Sequence, residues 1–394
     1  MVYRLASASW ARVKVWESTV MSMCVLSSTC RRLAGGLDRL GNGSVLITDS
    51  TPVMRAARTR GDLPARLVGN RRRPNPGGPM KIIDGGTILA HMDYGKAIEA
   101  LRNALTGDFD PADDSARVSA ELSRGEFLFM PAELGRYCGF KALTVTPDNP
   151  DDGHPRIQGS YLLLDSYNHT TLAYLDGIAI TNIRTPAVSL AGVKDVIERR
   201  FPDGVRLALY GVGPQALPHI DATAAVTKIH DVKVGVKSLE RADEVLAGLE
   251  DRGLSGSPIL SGSEGAELAL HDCDLIITAT SASEPLFNAA SIRKDAIVVA
   301  IGSHSPDCRE LPAELLGRGT VIVEAKHTAE AECGDLVLAI AENELTIDDV
   351  VTFRDIVCKG TEILDPDKPV VFKTSGMSWE DLAIASAVYE ALER

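Results

Sequence analysis

The sequence predicts an α/β protein in two parts, an α+β domain followed by a doubly wound parallel sheet, and three observations carry that prediction. A short apolar strand, Val205 to Tyr210, runs straight into Gly211-Val-Gly213-Pro-Gln215-Ala216, and a helix-compatible stretch follows to Val226. Beyond it, apolar runs alternate with helical segments, the grammar of parallel βαβ units. Before it, strand-like runs succeed one another across short turns, the grammar of an antiparallel sheet. The first observation is the Rossmann dinucleotide-binding pattern. Gly211 permits a tight turn, Gly213 lets backbone approach a pyrophosphate, and small Ala216 lets the helix pack close with its N-terminus toward the phosphates.

Taken in order, Met80 opens a short strand with Lys81-Ile-Ile, and apolar spacing at Ala97, Ile98, Leu101 and Leu105 predicts a helix over Asp93 to Leu105. Strands are expected at Ala116–Leu122, Glu126–Met130, Gly139–Thr146, Ser160–Asp165 and Thr171–Leu175. One helix is expected from Ile183 to Arg200, ended by Phe201-Pro-Asp-Gly204. The second part carries strands at Val205–Tyr210, Val232–Val236, Leu275–Thr280, Ile297–Ile301, Val321–Val323 and Val370–Phe372. Ser378-Trp-Glu-Asp381 has the spacing of a capping box and starts a final helix. The expected division is 80–193, completed by helix 378–394, against a Rossmann domain over 194–377.

The chain has 394 residues, 45% of them hydrophobic, enough for two cores. No run reaches the roughly 18 consecutive apolar residues that cross a membrane. Seven cysteines without C-x-x-C read as reduced thiols of a cytoplasmic protein. A zinc set of His271, Cys273, His304 and Cys308 has a spacing that fits no common ligand pattern. Net charge is divided. Residues 1–79 hold 13 Lys and Arg against 4 Asp and Glu, and the rest hold 28 against 50. A body that acidic argues against nucleic-acid binding. The basic, aperiodic residues 1–79 read as an extension upstream of a true start at Met80, with a transit peptide or an anion-binding tail as alternatives. Disorder is expected there.

At the end of the second Rossmann strand an acidic residue would hydrogen-bond the ribose 2′-hydroxyl of NAD. Lys237 and Ser238 stand near that place and suit a 2′-phosphate, so NADP(H) is preferred, with NAD(H) as the alternative. The lysine also reads as a solvated turn residue. Arg117 and Lys141 lie in apolar strand settings, where an unpaired cation is costly. Either they converge on a substrate carboxylate or each points outward. Arg184 reaches a cofactor phosphate or the substrate, or is an interdomain ion-pair residue. His304 follows the strand Ile297–Ile301 at its carboxyl end, where ligands sit in this sheet type, and could act as a general acid with Ser303 beside it.

Together Ser115-Ala-Arg117-Val, Phe129-Met-Pro131, Gly139-Phe-Lys141, Leu175-Asp-Gly177, Ile180-Thr-Asn-Ile-Arg184-Thr185, Gly211 to Ala216, Asp274 to Thr280, Gly302 to Leu311, Gly334-Asp335-Leu336 and Ser375 to Asp381 resemble the ornithine cyclodeaminase/mu-crystallin family over residues 80–394. The resemblance implies a substrate and dimerisation domain packed on a Rossmann domain, and hence a homodimer acting on a small amino-acid-like substrate. It implies that Arg117 and Lys141 hold the substrate carboxylate, and that Arg184 and Thr185 sit at the cofactor phosphates or the cleft. Gly211, Gly213, Gln215 and Ala216 would form the phosphate loop. Thr278, Thr280 and Ser303 join the cofactor-binding set. In the true cyclodeaminases an aspartate holds the place of His304, suited to a distal ammonium. Pro186 is a second departure, where the family has a small residue. The leading expectation is therefore an NADP(H)-dependent reductase of a cyclic ketimine carboxylate. Ornithine cyclodeaminase and a non-catalytic NADP(H)-binding protein are the alternatives.

Overall fold

The computed structural model describes residues 79–394, which belong to one compact unit. The expectations for residues 1–79 lie outside the described residues, except at Pro79.

The expected α/β class holds, with two sheets. The first is an antiparallel meander joined at one edge by a parallel strand. Its strands are β1 (Lys81–Ile83), β2 (Val118–Leu122), β3 (Gly125–Leu134), β4 (Tyr137–Val145), β5 (Ile157–Asp165) and β6 (Thr171–Asp176), in the order β1-β6-β5-β4-β3-β2. Strand β4 shows why one side chain of this sheet faces inward. Tyr137, Gly139, Lys141 and Leu143 are buried, while the residues between them are partly exposed, the period-2 alternation of a sheet covered on one face. That buried face is covered by the C-terminal helix Ser378–Leu392 and the helix Gly177–Ala191, and the helix Tyr94–Leu105 packs on both of these. The helix Tyr94–Leu105 is capped by Asp93, whose Oδ1 accepts from Lys96 N at 2.8 Å, and it buries Ala97, Ile98, Leu101 and Leu105 as the spacing predicts.

The second sheet has eight strands, all parallel: β7 (Val205–Tyr210), β8 (Ile229–Val236), β9 (Gly256–Leu260), β10 (Leu275–Thr278), β11 (Ile297–Ala300), β12 (Thr320–Val323), β13 (Val351–Thr352) and β14 (Val370–Lys373). Their order is β13-β12-β14-β11-β10-β7-β8-β9. Strands β10, β11 and β14 are buried along their whole length, as strands covered on both faces must be. From β7 the chain winds outward to β9 and then returns to place β10 on β7's other side. The strand order therefore reverses between β7 and β10, and a crevice opens at their carboxyl ends.

Three expectations are corrected. The single helix over Ile183–Arg200 is two helices, Gly177–Ala191 and Lys194–Arg200. The first begins early because Asp176 accepts from Ile178 N and Ala179 N, and it runs through Pro186. Its C-cap is Gly192, which lies against Phe372, where a Cβ would be 2.5 Å from the ring. The expected capping box at Ser378–Asp381 does not form. Met377 is the N-cap without a side-chain bond, and Asp381 turns elsewhere. Strands β9 and β13 were not expected. Gly256 and Pro258 make β9 read as a loop, yet an edge strand tolerates both.

The Gly192 contact yields a prediction. Gly192→Ala forces a methyl into a packed ring face and should cost about 1–3 kcal/mol, lowering the urea midpoint. An unchanged midpoint would show that Phe372 has room to move.

Candidate active site

A cleft of about 300 Å³ opens where β3, β4 and β5 of the first sheet meet the carboxyl ends of β10 and β11. It gathers seven of the residues singled out in the sequence: Arg117, Lys141, Arg184, Thr185, Gln215, Thr280 and His304. Leu128, Met130, Leu143, Val145 and Ile157 supply an apolar wall, and no Asp or Glu side chain lines the cleft.

At the sheet end, Gly211 has φ +113°, and a Cβ there would be 2.3 Å from Ala279 O, so only glycine fits the turn. Gly213 has open space where a side chain would stand. Gln215 is the N-cap of the helix Ala216–Val226 without a side-chain capping bond, and its Oε1 is buried without a partner. Uncapped N–H groups at an open helix N-terminus suit a pyrophosphate. The residues present therefore fit a dinucleotide. Lys237 and Ser238 are exposed just past the end of β8, outside the cleft. Thr278 and Ser303 are buried and spend their hydroxyls internally, on Glu310 Oε2 at 2.9 Å and on Cys308 O.

At the other end, Lys141 is 1% exposed, and its Nζ donates to both oxygens of Asp381, at 2.9 and 2.7 Å. Thr181 Oγ1 lies 3.3 Å from the same nitrogen. Burial lowers the Lys141 pKa to about 8 against the opposing pull of Asp381. Arg184 projects from the helix Gly177–Ala191. Its Nη1 is 3.4 Å from Glu380 Oε2 and its Nε 3.6 Å from Asp381 Oδ1. Burial, and then the neighbouring Glu324 carboxylate, push the Glu380 carboxyl well above the ordinary range. Arg117 donates to Gly376 O at 2.9 Å and pairs with Glu332 at 2.8 Å.

His304 stands on the opposite wall. Its Nδ1 is 3.1 Å from Gly302 O, which can only accept, so Nδ1 carries the hydrogen and Nε2 is left as an acceptor. Partial desolvation in the cleft, with Lys373 and Arg117 nearby, holds its pKa below the ordinary histidine value. The ring is neutral at pH 7. Among the described residues, no three His, Cys, Asp or Glu side chains converge as a metal set.

Sequence reasoning missed Thr181 and the carboxylates Asp381, Glu380 and Glu324. The signal for two of them was available, since Glu380-Asp381 interrupts a helix that otherwise buries Trp379, Leu382, Ala383, Ile384, Ala385 and Val388. Buried acids on such a helix need cationic partners. Arg117, Lys141 and Arg184 line the cleft above internal carboxylates, an arrangement suited to an anion.

Comparison with known proteins agrees with the motifs. The chain is 30% identical over 273 residues to the Delta(1)-pyrroline-2-carboxylate reductase of Bacillus cereus, a match spanning 68% of this chain and 82% of that protein. It is 30% identical over 251 residues to the ketimine reductase mu-crystallin of Rattus norvegicus, spanning 64% and 75%. Among solved structures, an archaeal alanine dehydrogenase dimer with bound NAD superposes with a TM-score of 0.71 at 25% identity, covering 80% of this chain and 96% of that one. The profile of the ornithine cyclodeaminase/mu-crystallin family matches residues 84–394, and the chain belongs to that family.

Proposed function

We propose that the protein reduces a small cyclic ketimine carboxylate, of the pyrroline- or piperideine-2-carboxylate kind, to the corresponding amino acid with NADPH. The observation that carries this reading is the cleft itself. Arg117, Lys141 and Arg184 converge beside an apolar wall, and the cleft opens onto the strand ends that adjoin the phosphate loop. In this reading residues 80–193 with the helix Ser378–Leu392 hold the substrate, residues 194–377 hold the cofactor, and the protein works in the cytoplasm. The names of the relatives from Bacillus cereus and Rattus norvegicus support it.

The cofactor supplies the hydride; the chain supplies position and charge. Arg117 and Lys141 pin the carboxylate, and Arg184 closes the anion site from the helix that also carries Thr181 and Thr185. The imine nitrogen must be protonated when hydride arrives, because an iminium carbon is the stronger electrophile. A neutral His304 with its Nε2 lone pair free accepts a hydrogen bond from that N–H and favours the iminium form. Its role is thus to hold the proton on the substrate rather than to donate one. Cyclodeamination of ornithine is disfavoured by the same cleft, which offers three cations and no carboxylate to a distal ammonium.

The test is NADPH oxidation with pyrroline-2-carboxylate, compared with proline formation from ornithine. Reduction should be robust and Lys141→Ala nearly inactive; unchanged reduction in that variant would place the active site elsewhere. Lys141 also sets a pH dependence. Below about pH 8 it is already charged in the free protein, and above it the site must take up a proton to bind an anion. Each further pH unit costs about 1.4 kcal/mol. The Kd of a non-titrating carboxylate such as pyrrole-2-carboxylate should be flat below pH 8 and rise up to tenfold per unit above it. Lys141→Arg should abolish the rise.

For cofactor choice, Lys237 and Ser238 at the end of β8 favour a 2′-phosphate and offer no acid to repel it. Losing one charge-assisted contact costs roughly 1.5–3 kcal/mol. Lys237→Ala should weaken NADPH by about ten- to a hundred-fold and leave NADH nearly untouched. Equal affinity of the unmodified protein for both cofactors would count against the assignment.

The first sheet leaves its other face apolar. Ile82, Tyr174, Leu162, Phe140 and Pro131 form one cross-strand row, with Phe127 and Val118 on the same face. Ile82 is 78% exposed and Val118 59%. A contiguous patch of this kind needs a partner. A second copy of this chain is that partner in our reading, and the archaeal relative described as a dimer supports it. Light scattering should give a dimer, and Phe140→Lys a monomer; a monomeric wild-type protein would overturn this part.

A further inference from the structure

Three charged residues on the cofactor side of the cleft are buried and belong to neither end of it. Glu310, Asp335 and Lys373 are each 0% exposed. Glu310 lies in the segment that follows β11, and its carboxylate accepts four hydrogen bonds. Oε1 takes Thr280 N at 2.8 Å and Thr280 Oγ1 at 2.7 Å. Oε2 takes Gly302 N at 2.7 Å and Thr278 Oγ1 at 2.9 Å. One carboxylate therefore ties the carboxyl end of β10 to that of β11. Glu310 is itself held in place, because its N and Leu311 N both donate to Asp335 Oδ1, at 2.7 and 2.8 Å. Asp335 faces Lys373 Nζ at 3.2 Å, and Lys373 donates to Ser303 O at 2.6 Å. The residue at 302 conforms to this arrangement: a Cβ on Gly302 would be 2.6 Å from Glu310 Oε1.

Thr280 and Gly302 line the cleft with Lys141 and His304, whereas the phosphate loop Gly211–Ala216 follows β7. The clip thus holds the strand ends that line the cleft with Lys141 and His304, next to the phosphate loop, where a Cβ on Gly211 would lie 3.4 Å from Thr280 Cγ2. We propose that Glu310 is a positioning residue for the nicotinamide end of the cofactor, fixing the two strand ends on which that end rests while leaving the adenosine end untouched. The inference rests on the cofactor reading given above.

The chemistry makes glutamate hard to replace. All four partners donate, and two of them, Thr280 N–H and Gly302 N–H, are backbone groups that cannot reverse. A glutamine has one acceptor oxygen and one NH2 group. In either orientation its NH2 meets a backbone N–H, so one strand end loses its anchor and a buried donor is left unpaired. An aspartate keeps both acceptors but is one methylene short.

The test compares two ligands on the full-length protein, NADPH and 2′,5′-ADP, the second lacking the nicotinamide end. Glu310→Gln should weaken NADPH by about ten- to a hundred-fold, the size expected for one unpaired buried donor, and leave 2′,5′-ADP within twofold. The emission of bound NADPH should also fall toward that of the free cofactor. Glu310→Asp should show the same split at a smaller size, at least threefold on NADPH, and serves alone if the glutamine variant does not fold. Wild-type affinity for NADPH in Glu310→Asp, or equal loss of both ligands in either variant, overturns the inference. A wild-type protein that binds neither NADPH nor NADH overturns the cofactor reading and this inference with it; a wild type that binds them, with variants that bind equally well, overturns this inference alone.

Discussion

The buried ion pair between Lys141 and Asp381 is the contact on which the first-sheet wall of the cleft depends. Its members come from β4 and from the C-terminal helix, 240 residues apart in sequence, and both side chains are essentially inaccessible to water. Such a pair is poor evidence for stability, since desolvating two charges offsets most of their attraction. Removing one member is another matter, because it strands a buried charge at a cost of about 3–5 kcal/mol. The pair therefore fixes the helix against the sheet and keeps an ammonium poised at the cleft floor. A fold seeking stability alone would place leucines here. The expense makes sense if an anion is to be received beside Lys141.

The carboxylates beneath the cleft are arranged so that the cations are balanced but not consumed. Asp381 neutralises Lys141. Glu324 accepts hydrogen bonds from Thr374 Oγ1, Ser375 N and Gly376 N. Burial, with Glu324 nearby, holds the Glu380 carboxyl well above the ordinary range, and two like charges at close range cannot both ionise cheaply. Arg184 meets these acids only at 3.4 Å from Glu380 Oε2 and 3.6 Å from Asp381 Oδ1.

What the sequence made legible was local. Strand β7, the glycine turn and the helix Ala216–Val226 were read to the residue, because three adjacent signals agreed and none needed a distant partner. The motifs were likewise enough to name the family. The failures share a cause in long-range contact. Residue 192 must be glycine because Phe372 occupies the space a Cβ would need, and nothing within the local sequence announces that ring. Asp381 has the spacing of a capping residue, and only the folded chain shows Lys141 waiting for it. Glu310, Asp335 and Lys373 each look like ordinary charged residues near strand ends until the sheet brings them together. Periodicity reports which face of an element is buried. It does not report which buried charge meets which.

The two charge networks are joined by four consecutive residues, the last of β14 and the three that follow it. Lys373 holds Ser303 O on the cofactor side. Thr374, Ser375 and Gly376 donate to Glu324 on the substrate side, and Gly376 O receives Arg117. A displacement of this segment would move the loop carrying His304, the backing of Arg184 and one anchor of Arg117 together. Hydride transfer tolerates little error in the distance between donor and acceptor carbons. A short stretch that is hydrogen-bonded into both walls is a direct way to hold that distance, because neither wall can shift without the other. The cost is a dense set of buried polar groups around the cleft, where its two walls must be kept in register.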